Sequence, residues 1–150
     1  QGEQYIKELL DTYFIFRTSW LYSEYGNNFM KTMLRLSKQR QELNVVNDQI
    51  GSPTYAKDLA EVILKVIKED STNYGMYHFS NKGETSWFGF AQEIFKQKKI
   101  QINLLSTTSE NYKTKAKRPM FSVLETSKIQ STLNFEINDW RMSLKNLIMK

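Results

Sequence analysis

Cysteine is absent from the 150 residues. That excludes disulfides and thiolate metal sites, and it suits a reducing cytoplasm, the expected location. There is a single histidine, His78, flanked by Tyr77 and Phe79. It reads as a packing or surface residue of a strand, so a histidine triad or histidine metal cluster finds no support. The carboxylates are not grouped at ligand spacing, and no metal site is assigned. Only six glycines occur, and no two lie within five residues of each other. The glycine-rich loop that cradles phosphates in dinucleotide-binding and P-loop folds is therefore missing. None of the eight tyrosines has a lysine four residues later. The pair that exchanges a proton with a carbonyl from one helical face is missing too, so no catalytic residue is assigned. No apolar run approaches the roughly 18 residues that span a bilayer. The opening QGEQYIKELL has neither the basic segment nor the apolar core of a signal peptide.

What is present is a globular composition, 40% hydrophobic and 25% charged, on a chain long enough for one ordinary core. The formal charge of +5 helps to attract phosphates but is too small to identify a nucleic-acid partner. Neither nucleic acid nor membrane is expected as a partner.

Apolar periodicity supplies the outline. Ile6, Leu9 and Leu10 fall at helical spacing, so residues 2–10 read as the last turns of a helix. TYFIFRTSW follows, aromatic and β-branched without polar alternation, the pattern of a strand covered on both faces. Further helices are expected through Phe29 to Leu34, after Thr54 as N-cap, after Thr85 or Ser86, near Thr126–Leu133 and after Asp139. LNVVND, GMYHFS and INLLST read as strands. Alternating strands and helices predict an α/β class with some parallel pairing. Opening on terminal helical turns that feed a doubly buried strand implies either sequence upstream or an exposed sheet edge.

Two stretches carry candidate chemistry. FRTSWLYSEYGNNF places Arg17, Thr18, Ser19 and Trp20 where a strand runs out, with Asn27 and Asn28 before a helix. Ligands sit at such strand ends, and helix starts present free N–H groups; equally, Asn28 serves as a plain N-cap and Trp20 as core. NVVNDQIGSPT crowds Asn47, Asp48, Gln49, Ser52 and Thr54 around Gly51 and Pro53. Proline fixes its own φ and extends the residue before it, making a stiff loop. That loop either presents its polar groups to a ligand or only satisfies turn and cap amides. Lys113, Lys115, Lys117 and Arg118 form a basic run, either a solvated loop or, through Arg118 positioned by Pro119, a reach toward a diphosphate. Trp87, Phe90 and Phe95 read as core.

In order, FRTSWLYSEYGNNFMKTMLRL, VVNDQIGSPTYAKDLAE, YHFSNKGETSWFGFAQEIF and KRPMFSVLETSKI resemble dTDP-4-dehydrorhamnose reductase, an extended short-chain dehydrogenase/reductase. The resemblance implies the end of a Rossmann-type sheet plus the smaller sugar-nucleotide-binding C-terminal region, across residues 1–150. The family's NADPH loop and Tyr-x-x-x-Lys pair would lie upstream of Gln1. The full enzyme passes hydride from NADPH to the C4 ketone of dTDP-4-dehydro-L-rhamnose; this portion alone is expected to hold no cofactor and to be inactive. By the same resemblance, Trp20 packs against the substrate sugar, and Arg17, Thr18 and Ser19 end the strand beside nicotinamide and substrate. Asn28 would face the diphosphate, Asn47, Asp48, Gln49, Pro53 and Thr54 would shape the pocket, and Arg118 belongs to the family's Arg-Pro element. The expected partner is a dTDP-sugar, and the family allows a homodimer, metal-bridged in some members. Two other readings are a self-standing sugar-nucleotide-binding or interaction module without redox chemistry and a basic nucleic-acid-binding domain.

Overall fold

The computed structural model describes residues 1–112, 114, 116 and 118–149. Lys113, Lys115 and Lys117 of the basic run lie outside the described residues. The elements follow the α/β alternation expected from the periodicity: α1 (Gly2–Leu9), β1 (Phe14–Thr18), β2 (Leu21–Tyr22), α2 (Phe29–Ser37), β3 (Glu42–Val46), β4 (Ile50–Gly51), β5 (Thr54–Tyr55), α3 (Ala56–Lys68), β6 (Gly75–Phe79), β7 (Thr85–Ser86), α4 (Trp87–Lys98), β8 (Asn103–Thr107), α5 (Ser127–Thr132) and α6 (Trp140–Ile148).

Three parallel pairs and one antiparallel pair form the strand framework. β1 runs beside β6 with Phe14 opposite Gly75 and Thr18 opposite Phe79, and β3 runs beside β8 with Glu42 opposite Asn103. The short β2 and β5 also pair in parallel, while β4 and β7 pair antiparallel. Periodicity does not reveal two-residue strands, because no alternation can develop over that length.

The apolar faces close two cores. One gathers Met30 and Met33 of α2, Leu43 and Val45 of β3, Phe90, Ile94 and Phe95 of α4, and Trp140 and Leu144 of α6. The other joins Val62 and Val66 of α3 to Tyr77 and Phe79 of β6 and to Ile129, Leu133 and Ile137. Helix starts are set by side chains where the sequence offers them. Asn28 Oδ1 accepts from Lys31 N, Ser86 Oγ from Gly89 N and Asp139 Oδ1 from Arg141 N, each satisfying an orphan amide of the first turn.

Two expectations need correction. Thr54 does not cap α3. Tyr55 occupies the cap position without a side-chain capping bond, its hydroxyl donating instead to the Glu24 carboxylate, while Thr54 lies fully buried in β5 with its N–H donating to Trp20 O. Strand pairing takes the residue that propensity alone would make a cap. Nor is β1 covered on both faces: Phe14, Ile15 and Phe16 are half-buried, and among the described residues β1 has one strand neighbour. In α1 no residue is buried, and Tyr5, Ile6, Leu9 and Leu10 are exposed. The apolar surface expected at a sheet edge is there.

Candidate functional site

A cleft of about 580 Å³ opens between the start of α2, the end of β3, the loop after it and the arm around Arg118. That is the size of a cavity that encloses a small molecule. Its walls include Phe29, Met33 and Leu36 of α2, Val45 and Val46 of β3, and the indoles of Trp20 and Trp87. Polar groups come from Ser19, Thr32, Asn44, Gln49, Tyr112, Thr114, Ser122 and the exposed Arg118. An apolar, aromatic surface with a few convergent polar groups and one guanidinium suits a ligand that has a flat ring at one end and an anion at the other.

The loop from Asn47 to Pro53 forms a wall of this cleft because it is fastened at both ends. Asn47 Oδ1 accepts from Ser86 Oγ over 2.6 Å, which ties the loop to the cap of α4. The Asp48 carboxylate accepts from Ser109 N at 2.9 and 3.0 Å and from Ser109 Oγ at 2.7 Å. These donors hold the Asp48 carboxyl below the ordinary aspartate range, so it is ionised at neutral pH. Gln49 Nε2 donates to Ser109 Oγ over 2.8 Å, and Ser52 Oγ donates to Gly83 O over 2.7 Å. Ile50 N donates to Met120 O and Ser122 N donates to Ile50 O, both over 2.8 Å. Through these two bonds the loop carries the Arg118–Pro119 arm to the cleft mouth.

Trp20 is held in both backbone and ring. Its backbone is left-handed, with φ of +47°. Its ring lies parallel to that of Trp87, with centroids 3.5 Å apart and planes within 7°. Phe29 closes the other side of Trp87 at 4.6 Å.

Over residues 1–150 the chain matches the family model described as the RmlD substrate binding domain. The chain belongs to the RmlD substrate-binding domain family. It is 42% identical over 159 residues to the dTDP-4-dehydrorhamnose reductase of Aggregatibacter actinomycetemcomitans, with 98% of this chain and 53% of that protein covered. Identity to the spore coat polysaccharide biosynthesis protein SpsK of Bacillus subtilis is 41%, covering 99% of this chain and 51% of the relative. The crystal structure of dTDP-4-dehydrorhamnose reductase from Bacillus anthracis in complex with NADP superposes with a TM-score of 0.91 at 45% identity, over 99% of this chain and 51% of that one. The chain thus spans about half the length of the relatives it matches.

In this RmlD substrate-binding domain, Ser19, Trp20, Gln49 and Arg118 meet at the cleft as a group. The other candidates lie outside its lining. Arg17 points away and forms an ion pair with Glu3 of α1, its Nε donating over 2.8 Å, and Thr18 ends β1 on the exposed surface. Asn28 is fully used locally: beyond its capping bond, Nδ2 donates to Ser23 O and Tyr25 O at 2.8 and 3.1 Å. Asn47 and Asp48 brace the loop, and Pro53 and Thr54 are buried behind it. The motif therefore builds a wall more than it supplies contacts. The reading of Trp87 as core holds for Phe90 and Phe95, which are buried, but Trp87 itself is half-buried and lines the cleft. Trp87 and Phe29 share a signal that would have marked them, since each is the first residue of a helix whose cap lies immediately before it. Such residues stand at the end of the apolar stripe, half in the core and half in whatever opening adjoins it.

Proposed function

We propose that this chain is the substrate-binding C-terminal part of a dTDP-4-dehydrorhamnose reductase, and that its cleft holds a dTDP-linked deoxysugar for reduction at the C4 ketone. The observation that carries the reading is the convergence of Trp20, Gln49 and Arg118 on one cleft within a chain of this family. The edge of the Trp20 indole packs against the sugar or base, the amide of Gln49 offers hydrogen bonds, and the guanidinium of Arg118 meets the diphosphate with two parallel donors.

NADPH does not fit the residues present, for the chain has neither a glycine-rich phosphate loop nor a tyrosine with lysine four residues on. No step of hydride or proton transfer is assigned to its side chains. Their work is to bind and orient: Arg118 anchors the charged end of the ligand while the Trp20 edge packs against its other end. By this reading the protein works in the cytoplasm, where nucleotide sugars are made.

Titration of the 150-residue protein with dTDP, followed by tryptophan fluorescence, tests the proposal. Saturable quenching by dTDP, absent with inorganic phosphate, is expected, because two of the three tryptophans line the cleft. A protein unresponsive to dTDP at millimolar concentration would refute the assignment. A second assay follows NADPH oxidation with dTDP-4-dehydro-L-rhamnose. Robust turnover by this chain alone would overturn the division of labour proposed for it.

A further inference from the structure

β3 pairs with β8 along one edge, and the parity of its hydrogen bonds shows which groups are left over. Asn47 N donates to Thr107 O at 2.9 Å, and Asn103 N donates to Gln41 O at 3.0 Å. Successive residues of a strand turn their backbone N–H and C=O groups to alternate edges. The odd-numbered residues from Gln41 to Asn47 therefore bond to β8, and Asn44 and Val46 turn theirs to the opposite edge. Among the described residues β8 is the one strand beside β3, and nothing bonds to the backbone N–H or C=O of Asn44 or Val46.

Both residues line the cleft, and Val46 is only 8% exposed. The free edge thus belongs to the cleft wall. Backbone groups in such a place require partners, because a buried N–H or C=O without one bears the whole cost of its lost hydration. A ligand that displaces water from this edge must bring its own donor and acceptor, side by side, or bind weakly. Along the edge the Asn44 carbonyl is followed by the Val46 N–H, an acceptor and then a donor. The neighbouring side chains of the lining are apolar, with Phe29, Met33 and Leu36 coming from α2. A sugar ring would strand hydroxyls against them, whereas a flat heterocycle with one amide-like edge satisfies the backbone and buries its faces. Thymine and uracil have that edge: a ring N–H that donates, next to a carbonyl that accepts.

We propose that the free edge of β3 is a base-reading site, in which Asn44 O accepts from the ring N–H of a thymine-type imide and Val46 N donates to the carbonyl beside it. This rests on the nucleotide-sugar reading of the cleft and adds to it the groups that select the base. The readers are main-chain atoms held in register by β8, so they are in place before the ligand arrives.

Titration of the protein with dTDP, dUDP and N3-methyl-dTDP, followed by tryptophan fluorescence and by amide NMR, tests the site. Methylation at N3 removes the ring donor and leaves the sugar and diphosphate intact. dTDP should move the Val46 amide proton downfield and slow its exchange with solvent, while the Val45 amide, already bonded to β8, changes less. N3-methyl-dTDP should bind at least about 10-fold more weakly than dTDP. dUDP keeps the imide and lacks one methyl group, so it should stay within about 5-fold of dTDP. Saturating dTDP that leaves the Val46 amide unmoved, or N3-methyl-dTDP bound as tightly as dTDP, overturns the base-reading edge and leaves the nucleotide-sugar reading standing. So does a dUDP affinity as low as that of N3-methyl-dTDP, since recognition would then follow ring shape. A protein that responds to dTDP by neither method refutes the nucleotide-sugar reading, and the base site with it.

Discussion

Asn81 and Asp58 meet inside the protein, with Asn81 Nδ2 donating to Asp58 Oδ2 over 2.6 Å. Asn81 is 1% exposed and Asp58 7%, so neither has water to fall back on. Ser143 Oγ also donates to Asp58 Oδ2, and Asn81 Oδ1 accepts from Tyr55 N at 2.8 Å. This knot joins the end of β6 to the first turns of α3 and α6 and to β5, directly behind the cleft loop. Replacing Asp58 by Ala takes the acceptor from the Ser143 hydroxyl and the shortest of the acceptors from Asn81 Nδ2, which keeps Asn138 O and Ser143 Oγ, and should cost about 2–3 kcal/mol of stability by urea unfolding. Asp58→Asn keeps an acceptor oxygen and should cost clearly less; equal losses would mean that the hydrogen bonds are not what the site contributes.

Gly51→Ala should disturb Trp20 first. The new Cβ would lie 2.4 Å from Trp20 Cε2 and 2.7 Å from Cζ2, so the indole must move or the loop must shift. Overpacking of this kind costs roughly 1–3 kcal/mol. A shift in tryptophan fluorescence should accompany the loss of stability, and a variant with both unchanged would contradict the close approach.

Asp48 supplies a pH dependence with a definite sign. Its carboxyl is held below the ordinary aspartate value, first by the backbone N–H of Ser109 and then by the Ser109 hydroxyl. A depressed carboxylate contributes stability that is in full force above the unfolded-chain value, about pH 4, and lost as pH falls through its own lower midpoint. Ser109→Ala removes the hydroxyl donor and should move the Asp48 midpoint upward in a carboxyl-carbon NMR titration. A midpoint that stays put would show that the hydroxyl bond contributes nothing in solution.

Arg118 stands exposed at the cleft mouth and makes no ion pair with a described residue, so its charge is available to a ligand. On the reading proposed above, Arg118→Ala should weaken dTDP binding about 5- to 10-fold, with Arg118→Lys intermediate because an ammonium cannot make the paired bonds of a guanidinium. Added salt should weaken the parent more than the alanine variant. Identical salt dependence in the two proteins would place the diphosphate elsewhere.

Much of this molecule was legible from residue order. The helices through Met33, Val62, Ile94 and Leu144, and the strands at Phe14–Thr18, Glu42–Val46 and Gly75–Phe79, follow from apolar spacing that a chain of this length must bury. Helix starts after Thr85 or Ser86 and after Asp139 could be read, and Ser86 and Asp139 make the caps, because a capping bond reaches only two or three residues along the chain. The stiffness of the loop around Pro53 is equally local. Which of its groups would face the cleft was not. Asn47 and Asp48 are oxygen-bearing side chains beside Gln49, yet their partners, Ser86 and Ser109, lie 39 and 61 residues away in sequence. Likewise, Thr54 is a cap by propensity and a strand residue by pairing with Leu21, and Trp87 is core by spacing and cleft by its place at a helix end. Local stereochemistry and periodic burial are written in neighbours and can be read from them. Whether a polar group serves the protein or a ligand depends on which distant donor arrives beside it, and only the packing of α4, β8 and the Arg118 arm around the loop decides that.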